Sequence, residues 1–333
     1  MKYNNLKKTV FSSLMVVFSL AFVGCVNSKQ DIEIPQWYLN SPANTGLFLY
    51  GSGDGENLEA AKSNALNNMA AGLVVSISSS LQTTTKTSVL NGKDSYSKDI
   101  SKDVKVEVQK IKFTNATVKN SQLINGRFYV LMQVNRIDLF TQKKSEFDTR
   151  DNRIDELHGS LDGKSKLSQI HILQDMYPMI KEAKAQAIVL NAINNEFAYP
   201  LYVKKYDKYI DSLDDIKQAC IVSVETSIQE KYFADHIVDM LNLNKFKISS
   251  NSSKSDVSIK LNVQPKYSMT NGWNIAKVTT TISVISDEKI VSNKIISTVG
   301  RSSTSQESAL EDASKRFREE LESVTLDKIV FGK

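Results

Sequence analysis

Few side chains in this chain of 333 residues have the type and spacing that catalysis or metal binding requires. Its three histidines, His158, His171 and His236, are scattered, and we expect none to share a helix face with a carboxylate or second histidine at i+3 or i+4. A zinc site would need such clustering. The acidic pair Asp214-Asp215 lies in a charge-mixed, helix-rich section and is expected on the solvated surface. We therefore predict a protein with no catalytic residue, no metal site and no cofactor. An envelope enzyme stays an alternative, because catalytic triads are not local in sequence.

One glycine-rich segment, Gly51-Ser52-Gly53-Asp54-Gly55, resembles a dinucleotide-binding turn, because it lies between a predicted strand at 47–50 and a predicted helix. The third glycine falls one residue early, and Glu56 takes its place. Asp54, Glu56 and Glu59 also put negative charge where a pyrophosphate would bind. We expect these carboxylates to complement the helix dipole instead, and the glycines to form a tight turn.

Cys25 follows a segment with the pattern of an export signal. Three lysines precede an apolar stretch from Val10 to Val23, and the small residue Gly24 precedes the cysteine. The stretch is too short to span a bilayer comfortably and contains three serines. The pattern predicts a cleaved secretory signal over residues 1–24. The other cysteine, Cys220, lies in an apolar strand-like run, where we expect a buried and inert thiol.

The segment from Leu20 to Cys25 resembles a bacterial lipobox, in which the cysteine thiol is diacylglycerylated and becomes the mature N-terminus. The resemblance implies that Cys25 is the lipid attachment site, with acyl chains such as palmitate. Each buried methylene contributes about 0.8 kcal/mol, so two or three chains anchor a protein far more firmly than one. Plain cleavage that leaves Cys25 as a free cysteine is the alternative. Val26 stands where an Asp would signal inner-membrane retention in enteric bacteria, which implies the outer membrane.

The charge of the mature chain is nearly balanced. Three of the 42 basic residues and none of the 37 acidic residues lie in residues 1–24, so 39 basic side chains remain. The pI near 8.9 is therefore partly a property of the discarded segment. No basic run with interleaved aromatic residues is present, and we predict no nucleic-acid partner. If Cys25 is a thioether, Cys220 has no partner and the mature fold has no disulfide.

The pattern of apolar residues predicts an α+β fold with two small sheet-plus-helix domains connected by a helical hairpin. Asn125-Gly126 predicts a β-hairpin with a type I′ turn. Residues 76–103, rich in Ser, Thr and Lys, predict weakly specified structure, either an extended arm or a mobile flap. Pro178 is expected to kink or restart its helix. Near the C-terminus, clean alternation predicts an antiparallel sheet with one face covered by helices.

We expect five segments along the chain. They are a signal peptide at 1–24, a lipidated tether at 25–34, a first α+β domain at 35–137, a helical hairpin section at 138–217 and a last α+β domain at 218–333.

Two resemblances extend this picture. The opening Pro35-Gln36-Trp37-Tyr38-Leu39-Asn40-Ser41-Pro42, followed by Leu49-Tyr50-Gly51-Ser52-Gly53 and an alanine-spaced helix, resembles the Lpp-twenty lipoprotein family over residues 35–137. The resemblance implies a periplasm-facing, outer-membrane lipoprotein module without catalytic residues, of a kind related to flagellar basal-body proteins. The last domain, with Ser255-Asp256-Val257-Ser258-Ile259, resembles the TolB amino-terminal domain and the middle domain of FlgT.

The expected function is that of a non-catalytic outer-membrane lipoprotein. It would act as a periplasmic scaffold or assembly factor, with a flagellar basal-body ring as the leading candidate. The expected partners are the outer membrane, through acyl chains on Cys25, and envelope or flagellar proteins, while a homo-oligomer is left open. A lipoprotein regulator of peptidoglycan synthesis is the alternative.

Overall fold

The computed structural model describes residues 33–86, 94–227 and 231–323. The described residues form two compact units. The first unit contains residues 33–69 and 116–133, and the second unit contains the remainder. The predicted domain boundaries at residues 137 and 217 stay a prediction. Within the described residues, no helix combines the length and the apolar character that a bilayer crossing requires.

The first unit is built around a small sheet with the strand order β1-β3-β2. The hairpin between β2 and β3 is confirmed, and Asn125 and Gly126 both have positive φ, at 49° and 76°. The elements that begin or lie in this part of the chain are α1 (Gln36–Leu39), β1 (Phe48–Gly55), α2 (Leu58–Lys86), β2 (Thr117–Ile124) and β3 (Arg127–Asn135).

The glycine-rich segment is a strand, so the predicted turn is wrong. Residues 48–55 alternate between half-buried and buried, and Gly51, Gly53 and Gly55 are on the buried side. A Cβ on Gly53 would lie 2.6 Å from the carbonyl oxygen of Ala61 and closer still to the backbone nitrogen of Ala65. Because glycine lacks a side chain, β1 and α2 can pack with their backbones in near contact.

Residues 76–86 and 94–103 are helical, so the expected extended arm is wrong for these residues. They belong to α2 and to α3 (Asp94–Gln109). Leu73 and Ile77 on α2, and Val104 and Val108 on α3, are buried pairs four residues apart. A narrow apolar stripe at helical spacing is therefore sufficient to form these helices, although Ser, Thr and Lys occupy most of the other positions. Residues 87–93 lie outside the described residues.

The predicted helical hairpin is confirmed and is joined by a third helix. The three helices are α4 (Arg136–Gly159), α5 (Lys166–Ile193) and α6 (Tyr199–Ala219). Their shared core includes Phe147, Met176 and the fully buried Tyr206. Pro178 lies inside α5, which continues past it as one helix, so the proline does not restart the helix.

The C-terminal sheet has the strand order β5-β4-β6-β7-β8. It is mixed, because β4 pairs in parallel with both β5 and β6, whereas β6, β7 and β8 are antiparallel. The predicted antiparallel pairing is therefore confirmed for the long strands β6, β7 and β8, while the parallel pairs of β4 were not predicted. The elements are β4 (Ile221–Glu225), α7 (Lys231–Leu243), β5 (Lys247–Ser249), β6 (Val257–Thr270), β7 (Trp273–Ser286), β8 (Lys289–Ser302) and α8 (Gln306–Ser323).

Helices α7 and α8 cover one face of this sheet, as the alternation predicts. Val278 and Ile282 of β7 are buried in the same core as Phe233 of α7 and Phe317 of α8, and the two phenylalanine ring centroids are 5.2 Å apart. Alternate residues of β7 and β8 point to the opposite face and are exposed or half-buried. The sheet thus has one dry face and one face open to solvent.

Candidate functional site

The predicted lipid attachment site lies outside the described residues. Cys25 and the whole of residues 1–32 are in that part of the chain. Lipid attachment at Cys25 therefore stays a prediction. The site that can be built from the structure lies further along the chain, after Pro35 in the first unit.

A cluster of four side chains, which we call the Asp54 cluster, fixes the start of the first unit. The Tyr38 hydroxyl donates a hydrogen bond to Asp54 Oδ1 at 2.5 Å, and Arg127 Nε donates to Oδ2 of the same carboxylate. The ring of Tyr38 also meets Tyr129 edge to face, with centroids 4.8 Å apart. These contacts connect α1 to β1 and β3, so Tyr38 packs within the unit.

Both carboxylate oxygens of Asp54 are engaged, and this determines its protonation. The hydrogen bond from Tyr38, followed by the contact with Arg127, lowers the pKa of Asp54. Burial and the bond to Asp54 raise the pKa of Tyr38 to about 12. At neutral pH the pair is therefore a carboxylate bound to a protonated phenol. A carboxylate held in this way is suited to fixing structure and is poorly suited to accepting a proton in catalysis.

The expectation that Asp54 complements a helix dipole is wrong, because Asp54 lies in β1 and binds Tyr38 and Arg127. Glu59 does lie in the first turn of α2, where it also pairs with Lys62 at 2.7 Å. Asn57 precedes the helix and caps it, because its side-chain oxygen accepts a hydrogen bond from the backbone nitrogen of Ala60.

The histidines do not form a metal site in the described residues, where no three His, Cys, Asp or Glu side chains are grouped closely enough to hold an ion. The expectation that His171 has no carboxylate at i+4 is wrong, because Asp175 lies there with its Oδ2 3.6 Å from His171 Nε2. His158 stacks on Tyr209 with ring centroids 3.8 Å apart, and its burial lowers its pKa. His236 is also partly buried, which lowers its pKa.

A polar network between α4 and α6 was not found from the sequence. Lys205 bridges two carboxylates one helical turn apart, Asp151 and Asp155, and lies 3.0 Å from the latter. The hydroxyl of Tyr206 donates to Asp151 at 2.7 Å, and that of Tyr209 donates to Asp155 at 3.1 Å. Every polar group of this network faces another one, so the network holds two helices in register.

A cavity of about 160 Å³ lies between α3, α4 and α5. Its lining is charged and includes Glu107, Lys110 and Arg150. Arg150 Nη1 and Gln186 Oε1 are buried there without a hydrogen-bond partner among the described residues. A small polar cavity with one free donor and one free acceptor suits ordered water.

Cys220 is free and fully buried, which confirms the expected burial of its thiol. Burial raises the pKa of its thiol to about 12. At neutral pH this thiol is therefore protonated, and the thiolate is the form that attacks electrophiles or binds metal ions.

The fold and the Asp54 cluster define a small sheet-plus-helix module whose glycine strand packs closely on an alanine-bearing helix. Residues 35–135, a range that includes this module, match the model of the LPP20 lipoprotein family. The resemblance predicted from the Pro35-to-Pro42 opening and the Tyr50-Gly51-Ser52-Gly53 segment is thus confirmed. The resemblance of the C-terminal part to the TolB and FlgT domains finds no support in any comparison and stays a prediction.

This chain is also similar, at low sequence identity, to two solved structures. The secreted protein HP1454 from Helicobacter pylori is 13% identical, with 84% of this chain and 98% of that chain covered, at a TM-score of 0.40. A minor lipoprotein from Acinetobacter baumannii is 13% identical, with 31% of this chain and 92% of that chain covered, at a TM-score of 0.24. Neither likeness is close enough to support a conclusion. No curated protein matches the sequence.

Proposed function

We propose that this protein is an outer-membrane lipoprotein, anchored by acyl chains on Cys25, that faces the periplasm and serves as a non-catalytic scaffold or assembly factor. The single observation that carries the proposal is the match of residues 35–135 to a lipoprotein family model, directly after a lipobox-like segment that ends at Cys25. The two features were recognised from different residues and agree with each other.

The length of the tether supports a position close to the membrane. Nine residues separate Cys25 from Pro35, and a chain of that length spans at most about 30 Å. The first unit would therefore be held within that distance of the lipid headgroups. A module held there by several acyl chains samples partners along the membrane surface rather than in the bulk periplasm.

The contacts of the aspartate side chains and the burial of the Cys220 thiol support a non-catalytic role. Asp54, Asp151 and Asp155 accept hydrogen bonds or ion pairs from neighbouring side chains, and Cys220 is fully buried. These contacts stabilise helices and strands and leave surfaces, rather than reactive groups, for function. A ring at the base of the flagellum is the leading assembly, by the family resemblance.

Fractionation of cells that produce a Cys25→Ala protein tests the anchor. We expect the variant in the soluble periplasmic or unprocessed precursor pool and the parent protein in the outer membrane. Cys220→Ala is the matched control, since it removes the other thiol and leaves the lipobox intact. A Cys25→Ala protein that stays on the outer membrane after washing with high salt would contradict the proposal.

Cross-linking of intact envelopes followed by mass spectrometry then tests the partner. Cross-links to flagellar ring or rod proteins would support the scaffold role and name the contacting unit. Cross-links to peptidoglycan synthases would favour the regulator instead. Self-contacts alone would contradict both roles.

A further inference from the structure

The three long strands of the C-terminal sheet carry cations and no carboxylate. No aspartate or glutamate occurs in β6, β7 or β8. Three of their cations, Lys266, Lys277 and Arg301, are exposed on the face that no helix covers. They lie toward the turn that joins β6 to β7, and this end of the sheet is therefore positively charged on its open face.

Two of these cations are placed at a cost to the fold. Lys266 of β6 is directly opposite Lys277 of β7, and like charges in that position destabilise a strand pair. Arg301 lies beside them, opposite Ile275. The three side chains form no ion pair within the described part of the chain, whereas Lys260 on the same face pairs with Glu225 at 3.3 Å. An anionic partner would relieve this repulsion.

The carboxylates near this end lie on the helix-covered side of the sheet. Asp312 of α8 accepts a hydrogen bond from the backbone nitrogen of Arg301. Asp235 of α7 and Glu307 of α8 line a groove together with Tyr267 on the same side. They reduce the positive potential of the open face without lying on it.

Exposed apolar side chains adjoin the cations at the turn. Trp273 is paired with Thr270 on the open face and is 50% exposed, and Met269 beside the turn is 70% exposed. Residues of one face are about 7 Å apart along a strand, so Trp273 lies about 13 Å from Lys277. A flat surface can therefore contact Trp273 and the cations together. We call the group Lys266, Trp273, Lys277 and Arg301 the basic tip.

The combination of these side chains favours one kind of occupant. Tryptophan is enriched at the headgroup level of membranes, where its ring meets both apolar and polar groups. Lysine and arginine are attracted to anionic headgroups. A second copy of the chain would bring the same cations face to face, which is unfavourable. An acidic protein would pair with the cations, but it gives no reason for the exposed Trp273 and Met269 beside them.

We propose that the basic tip docks on a lipid surface that carries anionic headgroups. In the docked state Trp273 lies at the level of the headgroups, and Lys266, Lys277 and Arg301 pair with phosphate oxygens of the lipids. This contact is a second, reversible attachment besides the acyl chains proposed at Cys25. The inference rests on the proposed membrane location for its setting, but the contact itself requires no acyl chain.

Quenching of Trp273 by brominated lipids tests the proposal. The full-length protein carries Trp37→Phe, which leaves Trp273 as its only tryptophan. It is mixed with vesicles of phosphatidylcholine, with or without phosphatidylglycerol, that contain lipids brominated near the headgroup. We expect strong quenching on the anionic vesicles and little on the neutral ones. High salt should reverse the quenching, because the attraction is screened.

The double substitution Lys266→Gln with Lys277→Gln should weaken the contact about 25-fold, because each cation near an anionic surface contributes about a fivefold gain in affinity. It should not lower the free energy of unfolding, since it removes a repulsion between the strands. Lys247→Gln with Lys315→Gln is the matched control. It removes the same charge from β5 at the opposite edge of the sheet and from α8 on the other face, and should leave the quenching nearly unchanged.

Three outcomes would overturn the proposal. Trp273 that stays unquenched on anionic vesicles would leave the basic tip to an acidic protein. Equal quenching on both kinds of vesicle would mean that the cations have no part in the contact, and an equal loss in the control would mean that total charge alone matters. Flotation of the protein with neutral vesicles reports on the acyl chains, so a failure of the basic tip is distinct from a failure of the Cys25 anchor.

Discussion

The substitution Gly53→Ala tests the close packing of β1 on α2. A methyl group at this position would lie within 2.7 Å of Asn64 C and within 2.6 Å of the Ala61 carbonyl oxygen, and still closer to Ala65 N. All three are backbone atoms of α2, so no side chain can rotate away to make room. Strand and helix must separate, and the core between them opens.

The expected cost follows from this geometry. Overpacking a core by one or two methyl groups costs typically 1–3 kcal/mol, and the upper end applies where backbone must move. We expect the free energy of unfolding of the first unit to fall by about 3 kcal/mol. With a urea m-value of about 2 kcal/mol/M, the unfolding midpoint should fall by roughly 1.5 M.

Urea unfolding followed by tryptophan fluorescence measures this change. The chain has two tryptophans, Trp37 in the first unit and Trp273 in the second. In a Trp273→Phe background, Trp37 reports on the first unit alone. Gly46→Ala is the matched control, because Gly46 lies in the same unit and a Cβ there meets no atom within 4 Å. That control should change the free energy of unfolding by less than about 1 kcal/mol, because the added methyl group meets nothing and alanine only reduces the freedom of the unfolded chain. A Gly53→Ala protein that unfolds at the midpoint of its parent would refute the packing described for β1.

Three further results are expected. Asp151→Asn should lower the free energy of unfolding by about 2–3 kcal/mol in urea titrations, since the buried Tyr206 hydroxyl loses a charged acceptor. Because the pKa of Asp54 is lowered in the fold, the stability that its carboxylate confers should be present above about pH 4 and lost as the pH falls. The substitution Asp54→Asn should remove this acid dependence of unfolding, measured by the fluorescence of Trp37. Cys220, with a pKa raised to about 12 by burial, should not react with iodoacetamide at pH 8 until the protein is unfolded.

Each of these results has a control or an opposing outcome. As a control for Asp151→Asn, Glu311→Ala removes an exposed ion pair with Lys315 and should lower the free energy of unfolding by less than about 1 kcal/mol. An equally small loss in Asp151→Asn would argue against a stabilising network between α4 and α6. An unchanged acid limb in Asp54→Asn would mean that other carboxylates control unfolding. Rapid alkylation of native Cys220 would show that the core around it, between α6 and β4, opens readily.

Features set by local sequence could be predicted. Asn125-Gly126 defines its hairpin because both residues adopt positive φ, which few residues tolerate. The alternation of apolar and polar residues in β6 and β7 predicted a sheet with one face covered by helices. The prediction succeeded because only one face of the sheet is buried. The lipoprotein-family resemblance was recognised from other local segments, Pro35 to Pro42 and Leu49 to Gly53, and the comparisons confirm it.

Features set by distant residues could not be predicted. A glycine run read in isolation indicates a turn, and only the alanines of α2 make it a close-packed strand. Asp54 and Arg127 are 73 residues apart in the sequence, and Lys205 is 54 residues from Asp151. The parallel pairing of β4 with β6 depends on where α7 returns the chain, which periodicity does not reveal.

The measurement that tests the central claim most directly is mass spectrometry of the N-terminal peptide of the protein purified from membranes. The proposed function predicts a chain that begins at Cys25, with a diacylglyceryl group on its sulfur and with residues 1–24 absent. A peptide that carries Cys25 as an unmodified thiol, or that still contains residues 1–24, would contradict the lipid anchor.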